Sequence, residues 1–496
     1  MDNFEETCHP DYEANLYSWV MIRDTLHGES AIKRESELYL PIPAAMLNST
    51  MAPSIQKNGN SHVARKNDVH SLLVNTKNPN YHSNPAYAAY KTRAQFPEIV
   101  SGILRGLLGL AQQSTPTFEL PAGMAYLEDS TTKSNTGLVD FYYSVLQEAL
   151  TVGRVGIMVD IDDADGLPKL VTYRAENIIN WDGRSNATDE KCLKSVSVME
   201  VDPETGDSLE YRMKEQEGGF VIDVYADGKL VSEGEEVTFR GKRFDKIPMV
   251  IAGSSDIAVD VDVAPMSAIA RTAIQIYQMD ADLRQGEYMS CNPFLVFSGI
   301  SEDFVPQAIG ATTAVVLPPS DARAYYPSTD TSALNHVSNR IGQQYDRALA
   351  QGISLVGGAN ESGEALKIRQ QANTATLVAA AEATAAAIEK ALMYVAEIMG
   401  IKQEVTFEAG TEFGFTGMSA QDQQAMVSNW MAGAISKETM LENFRRAGLL
   451  QEGETAQDEM DRLDNQEPMF TASQPNIAAN DDEEIVPEVE EEPENG

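Results

Sequence analysis

Apolar and small residues recur every three or four positions toward the end of the chain. Leu377, Ala381, Thr384, Ile388, Ala391, Val395 and Ile398 share one side of a helix on that spacing. Alanine, the best helix former, fills much of the remaining circumference. The stretch LKIRQQANTATLVAAAEATAAAIEKALMYVAEIMG therefore predicts one helix, roughly 50 Å long at about 1.5 Å per residue. Ahead of it, TSALNHVSNRIGQQYDRALAQG predicts a second helix, and ISLVGGANESGEA predicts a break between the two. Gly357, Gly358 and Gly363 make the backbone of that break permissive. Periodicity alone leaves two readings of the long helix. It is a core helix of a large α/β domain, or it packs side by side with copies of itself.

The preceding chain alternates between two periods. YSWVMIRDTL predicts a helix within the first 45 residues. Residues 47–83 are polar, with Lys57, Arg65 and Lys66 able to meet phosphate, and read as an exposed loop. Residues 84–113 place Ile99, Ile103, Leu107 and Leu110 at helical spacing, while Gly102, Gly106 and Gly109 permit close packing. Arg105 and the short apolar length argue against a membrane helix pair there. GLVDFYYSVLQEALTVG predicts an amphipathic helix ending at Gly153, RVGIMVDI a strand, DDADG its turn, and LPKLVTYRAENIINW the return. From 190 to 251 the pattern has period two, interrupted at DPETGD, EGG and ADGK, which predicts an antiparallel meander leading to the strand MVIAG.

Pro265 opens a further helix, 264–291, striped by Ile269, Ile276, Met279 and Leu283. NPFLVFSGI, ATTAVVLPPS and RAYYPSTD predict short strands before the helix at Thr331. After Gly400, IKQEVTFEAG predicts a strand, and Ser419–Met431 with Lys437–Ala447 a helical hairpin. From about Glu452 apolar residues thin out, and DDEEIVPEVEEEPENG predicts disorder.

Composition narrows the chemistry. The chain has 496 residues, 37 basic against 75 acidic, for a net charge of −38. Such a chain is a poor sequence-independent binder of DNA, whose affinity comes from phosphate neutralisation, but DNA can slide past it without sticking. Cys8, Cys192 and Cys291 are too far apart for a disulfide framework or a CxxC pair, which suits a reducing compartment. The N-terminal MDNFEETCHPDYE is not a secretory signal, and no apolar run of about 18 residues predicts a membrane span. Asp160, Asp162, Asp163 and Asp165 lack the alternate spacing, sixth-position Gly and twelfth-position Glu of an EF-hand. No P-loop, strand–GxGxxG–helix unit, GxSxG or HExxH occurs. No cofactor or metal site is expected, and no enzyme, although a scattered acid/base site in an α/β enzyme stays open.

The order of these pieces, over about residues 10–450, resembles a portal protein of a tailed bacteriophage. The segments that carry the likeness are YKTRAQFPEIVSGILRGLLG, LVDFYYSVLQEALTVGRVGIMVDI with YRAENIINW, IPMVIAG before the 264–291 helix, and SGEALKIRQQANTATLVAAAEATAAAIEKAL. The resemblance implies an α+β portal fold. Residues 1–263 would be an α/β wing with the meander, 264–291 and 331–352 two stem helices, and 292–330 a small β clip. Residues 353–364 would be the tunnel loop, 365–415 the long helix and wing return, 416–451 a helical crown, and 452–496 the acidic disordered tail.

It also implies function. A homo-oligomeric ring, typically of twelve subunits, would sit at one capsid vertex of the virion after assembly in the host cytoplasm. Double-stranded DNA would pass through it during packaging and ejection. Its partners would be the terminase large subunit, head–tail adaptor or tail proteins, and the major capsid and scaffolding proteins. Ser354, Leu355, Val356, Gly357, Gly358, Ala359, Asn360, Glu361 and Ser362 would face DNA. Arg340, Arg347, Lys367 and Arg369 would meet phosphates, and Leu377, Ala381, Thr384, Ile388 and Val395 would pack against the neighbouring subunit. A head-assembly or adaptor protein without DNA contact is the alternative within the structural class.

Overall fold

Pro10 and Gly28 delimit the first helix, α1 (Pro10–His27), because proline fits a first helical turn and Gly28 takes φ 83°. The His9 ring caps it, accepting from the Asp11 amide at 3.2 Å. The short α2 (Glu29–Arg34) follows. The computed structural model describes residues 8–43, 46, 85–162, 164–183, 193–202, 205–216, 219–239, 242–244, 246–291, 296–298, 323–325, 332–356, 363–411, 420–446 and 456–464. The polar stretch 47–83 therefore lies outside the described residues.

The apolar run predicted within 84–113 is two helices, α3 (Pro85–Arg93) and α4 (Ile99–Ala111). Pro97 explains the split, because the residue before a proline is driven out of the helical region. Beyond the short β1 (Thr117–Glu119), α5 (Leu138–Val152) ends as predicted at Gly153, which takes φ 73°. A Cβ there would lie 3.1 Å from the Val263 carbonyl oxygen. β2 (Arg154–Ile161) and β3 (Pro168–Arg174) form the predicted hairpin. Its acidic turn is held by Lys169, whose Nζ lies 2.9 Å from Asp162 and 3.2 Å from Asp165. No group of carboxylates, histidines and cysteines suited to a metal occurs among the described residues.

The meander is a five-stranded antiparallel sheet in chain order: β4 (Ile178–Gly183), β5 (Leu193–Val201), β6 (Ser208–Gln216), β7 (Gly219–Ala226) and β8 (Lys229–Glu236). A two-residue ladder of β9 (Thr238–Phe239) and β10 (Lys242–Arg243) follows. β11 (Met249–Gly253) then leaves the meander and pairs with β2, giving a separate sheet β11-β2-β3. The run Arg154–Val159 on central β2 is buried at every position.

α6 (Ser267–Cys291) leads to an antiparallel pair, β12 (Val296–Ser298) with β13 (Arg323–Tyr325). These are the only parts of the expected β insert among the described residues. The chain continues through α7 (Ser332–Val356) and α8 (Gly363–Met399). β14 (Thr406–Glu408) returns to pair with β1, setting Phe407 and Phe118 face to face with ring centres 5.9 Å apart. One apolar cluster runs from Tyr12 on α1 to Phe407 on β14. Arg23 ties α1 to α5 within it, with Nη2 at 2.7 Å from Glu148 and 2.9 Å from Glu176.

Residues up to Phe413 form one unit, and Gly414 onward a second. The second unit contains α9 (Ala420–Met431) and α10 (Lys437–Arg446), the predicted helical hairpin. It also contains α11 (Ala456–Asp464), where disorder was expected from residue 452. The correction has a physical cause. Met460 packs against the small core of Met440 and Leu441, so a sequence acidic on average still carries an apolar anchor. Among the described residues no helix is long and apolar enough to cross a membrane.

Candidate nucleic-acid interface

α7 has a narrow covered side. Leu334, Val337, Ile341, Gln344 and Ala348, at helical spacing, are the described side chains withdrawn from solvent. α6 and α4 pack against this helix. Gly286 makes the approach to α6 close, because a Cβ on it would come within 2.5 Å of Leu334 Cδ2. α6 is in turn fixed by α3 and the segment after it. Tyr90 donates to Asp282 Oδ1 at 2.6 Å, and the Gln95 amide donates to Asp280 Oδ2 at 2.7 Å. Arg284 Nε donates to the same Asp280 oxygen at 2.8 Å. The Arg93 guanidinium lies 4.2 Å over the Tyr288 ring. Burial, with Asp282 beside it, pushes the Tyr90 phenol well above its usual range.

The rest of α7 is open. His336, Arg340, Gln343 and Arg347 recur at i, i+4, i+7 and i+11, and all four are exposed on one side. Neither Arg340 nor Arg347 has a carboxylate partner among the described residues. Charge composition singles out this region further. From Thr331 to Ala381 there are four basic residues, Arg340, Arg347, Lys367 and Arg369, against three acidic ones, Asp346, Glu361 and Glu364. The whole chain has two acids for every base, 75 against 37. A segment of slight positive charge within so acidic a chain repels phosphate less than the chain does on average.

The predicted site residues divide into four groups. Arg340 and Arg347 are exposed on α7, as a phosphate contact requires. Lys367 and Arg369 lie on the first two turns of α8, with side chains outside the described set. Ser354, Leu355 and Val356, expected in the loop, belong instead to the last turn of α7. A single interior glycine such as Gly352 costs a helix only about 1 kcal/mol, which a long helix tolerates. Gly357, Gly358, Ala359, Asn360, Glu361 and Ser362 lie outside the described residues.

The fourth group is corrected. Leu377, Ala381, Thr384, Ile388 and Val395 are each 0 % exposed within a single chain. α8 packs on α5, β2, β11 and β14, and this stripe is part of the chain's own core. It leaves no surface for a neighbouring subunit. Sequence periodicity located the buried side but could not say what buries it. The reading also passed over His336 and Gln343, although their i, i+4, i+7 relation to Arg340 and Arg347 was visible.

A family described as "Domain of unknown function (DUF4055)" matches residues 265–399, which run from the start of α6 to the end of α8. No curated protein matches. Among solved structures, the chain is similar to one in "Virion of native gene transfer agent (GTA) particle", at TM-score 0.42 and 10% identity, covering 71% of this chain and 91% of that one. It is similar to a chain in "Neck of native GTA particle computed with C12 symmetry", at TM-score 0.39 and 10% identity, covering 69% and 88%. The corresponding figures for "Neck of empty GTA particle computed with C6 symmetry" are 0.39, 9%, 69% and 88%.

Proposed function

We propose that this chain is the subunit of a portal ring, a non-enzymatic channel for double-stranded DNA at one capsid vertex. The observation that carries the reading is the open side of α7. It presents Arg340 and Arg347 without acidic partners among the described residues, in a stretch of an acidic chain where bases slightly outnumber acids. α7 itself follows α6 and a small β pair and precedes the break before α8. α8 is rooted by its buried stripe in the sheet and helix core, so a ring could hold the break at a fixed radius.

The chemistry required is weak and general. Phosphates meet a few mobile guanidinium groups, while the summed negative charge of many copies keeps the duplex from adhering. No step of this role consumes a nucleotide, so a separate terminase ATPase would supply the energy. The clip between α6 and α7 would face that terminase, then the tail adaptor. Capsid and scaffolding proteins would surround the ring.

Electron microscopy of the purified full chain in negative stain tests the oligomer. Rings are expected, and monodisperse monomers at every concentration and salt would overturn the reading. Deleting residues 355–361 tests the channel. Assembly should persist while genome packaging and retention fail; unchanged packaging would leave a head-assembly or adaptor protein that never meets DNA.

A further inference from the structure

α4 and α8 each leave one side of the helix bare, and the two bare sides are chemically opposite. On α4, Gly102, Arg105 and Gly109 recur at i, i+3 and i+7 and are exposed. A Cβ built on either glycine meets nothing within 4 Å, so the close packing these residues permit is not used among the described residues. Arg105 Nε donates only to the Ser101 carbonyl of its own helix, at 3.2 Å. No carboxylate pairs with Arg105 among the described residues, in a chain with 75 acids.

On α8 the bare side lies opposite the buried stripe. It carries Glu382, Ala386, Glu389, Met393 and Glu397 at i, i+4, i+7, i+11 and i+15; Glu382, Met393 and Glu397 are exposed, Ala386 and Glu389 half-buried. Met393 is 46% exposed, the largest apolar side chain on this side of the helix. Glu397 is taken by Lys246 at 3.2 Å, whereas Glu382 and Glu389 have no basic partner among the described residues.

We infer that the α4 face of one copy docks on the α8 face of the next. Gly102 and Gly109 are separated by seven residues, as are Glu382 and Glu389, about 10.5 Å along either helix. Arg105 then reaches between the two carboxylates, and Met393 enters the shallow recess over the glycines. Like pairings are ruled out by charge: α8 on α8 would oppose glutamates, and α4 on α4 would oppose arginines. The unlike pairing lets each copy offer one face to the copy before it and the other to the copy after it, the head-to-tail contact that generates rings. It rests on the ring reading above and supplies the subunit contact that the buried 377–395 stripe cannot.

The experiment measures ring formation of the full chain against concentration by mass photometry. Arg105→Glu should raise the concentration at half-assembly by at least about tenfold, and so should Glu389→Arg. The combined reversal, R105E with E389R, should restore assembly toward the wild type. Gly102→Leu with Gly109→Leu adds side chains into open space, so folding by circular dichroism should be unchanged while assembly is lost. Single reversals that assemble like the wild type, or a combined reversal no better than either, overturn the interface. Wild-type rings in that experiment leave the portal reading standing; wild-type monomers throughout remove both.

Discussion

Leu334 on α7 occupies the space over Gly286 on α6, with its Cδ2 only 2.5 Å from where a Cβ would stand. The helix pair is thus keyed at one point by a missing side chain and a present one. Gly286→Leu should cost about 1–3 kcal/mol of overpacking, partly offset by about 1 kcal/mol of helix propensity. In the Leu334→Ala background the same change should raise stability. Urea midpoints of the four proteins give the coupling, and additive effects would mean the two helices do not meet there.

Thr384 lies at 0 % exposure with an Oγ1 that finds no partner among the described residues. A buried hydroxyl without a partner costs its dehydration. Thr384→Val keeps the shape and removes the polar atom, so stability should rise by about 1 kcal/mol. A lower urea midpoint in the valine variant would show that the hydroxyl is bonded in solution.

Asp262 fastens the loop before α6. Its Oδ2 accepts from Ser255 Oγ at 3.0 Å and its Oδ1 from the Val263 amide at 2.8 Å, and Ser254 adds two more hydrogen bonds. Partial burial works to raise its pKa, but these hydrogen bonds outweigh it and hold the carboxyl below the usual aspartate range. The unfolded chain therefore takes up this proton first as pH falls. The stabilisation is complete above the ordinary aspartate value, about 3.9, and is lost as pH drops through the lower folded value. Asp262→Asn should lower stability at pH 6 and flatten its decline below pH 4, as read by thermal melts. A variant as acid-sensitive as the wild type would mean the hydrogen bonds do not favour the charged form.

Arg340 and Arg347 are exposed and have no ion pair or hydrogen bond among the described residues. Arg340→Glu with Arg347→Glu should leave the urea midpoint within about 0.5 kcal/mol of the wild type. Packaged DNA per particle should nevertheless fall, on the order of tenfold, because two attractive contacts per subunit become repulsive. Undiminished packaging would show that DNA does not touch this side of α7.

In the second unit, Met460 on α11 covers Met440 and Leu441. Truncation after Glu467 removes none of this and should leave assembly and the unit's melting unchanged. Truncation before Ala456 removes α11 and should destabilise the unit by about 2 kcal/mol, since a buried Met side chain contributes about that much. Equal behaviour of the two truncations, measured by proteolysis of residues 420–446, would make α11 an ornament.

How far the sequence could be read depended on the kind of signal. Leu138–Val152 was legible because its period and its terminal glycine agree. The meander was legible because turn residues punctuate a period of two. α3 was not read apart from α4, because the helical spacing noted within 84–113 lies wholly on α4. α11 was missed because a window average hides a single methionine. The pairing of β1 with β14 was invisible, since a three-residue strand such as TFE names no partner about 290 residues away. For the site, the helix–break–helix order and the two arginines came from sequence, whereas what buries the α8 stripe had to come from packing. The bare sides of α4 and α8 follow from the same packing.

The interlocking of early and late segments has a consequence for synthesis. β2 is pressed between strands β11 and β3 and covered by α8, and β1 waits for β14. A ribosome making about 5–20 residues per second therefore leaves the first sheet uncovered for on the order of ten seconds or more after residue 161 emerges. The helix that closes that core is the last long one made in the first unit. A nascent chain cannot present a finished surface to a sister chain until α7 and the break are already out. If copies assemble as proposed, they meet only after α8 has emerged, with the α7 segment and the break already made.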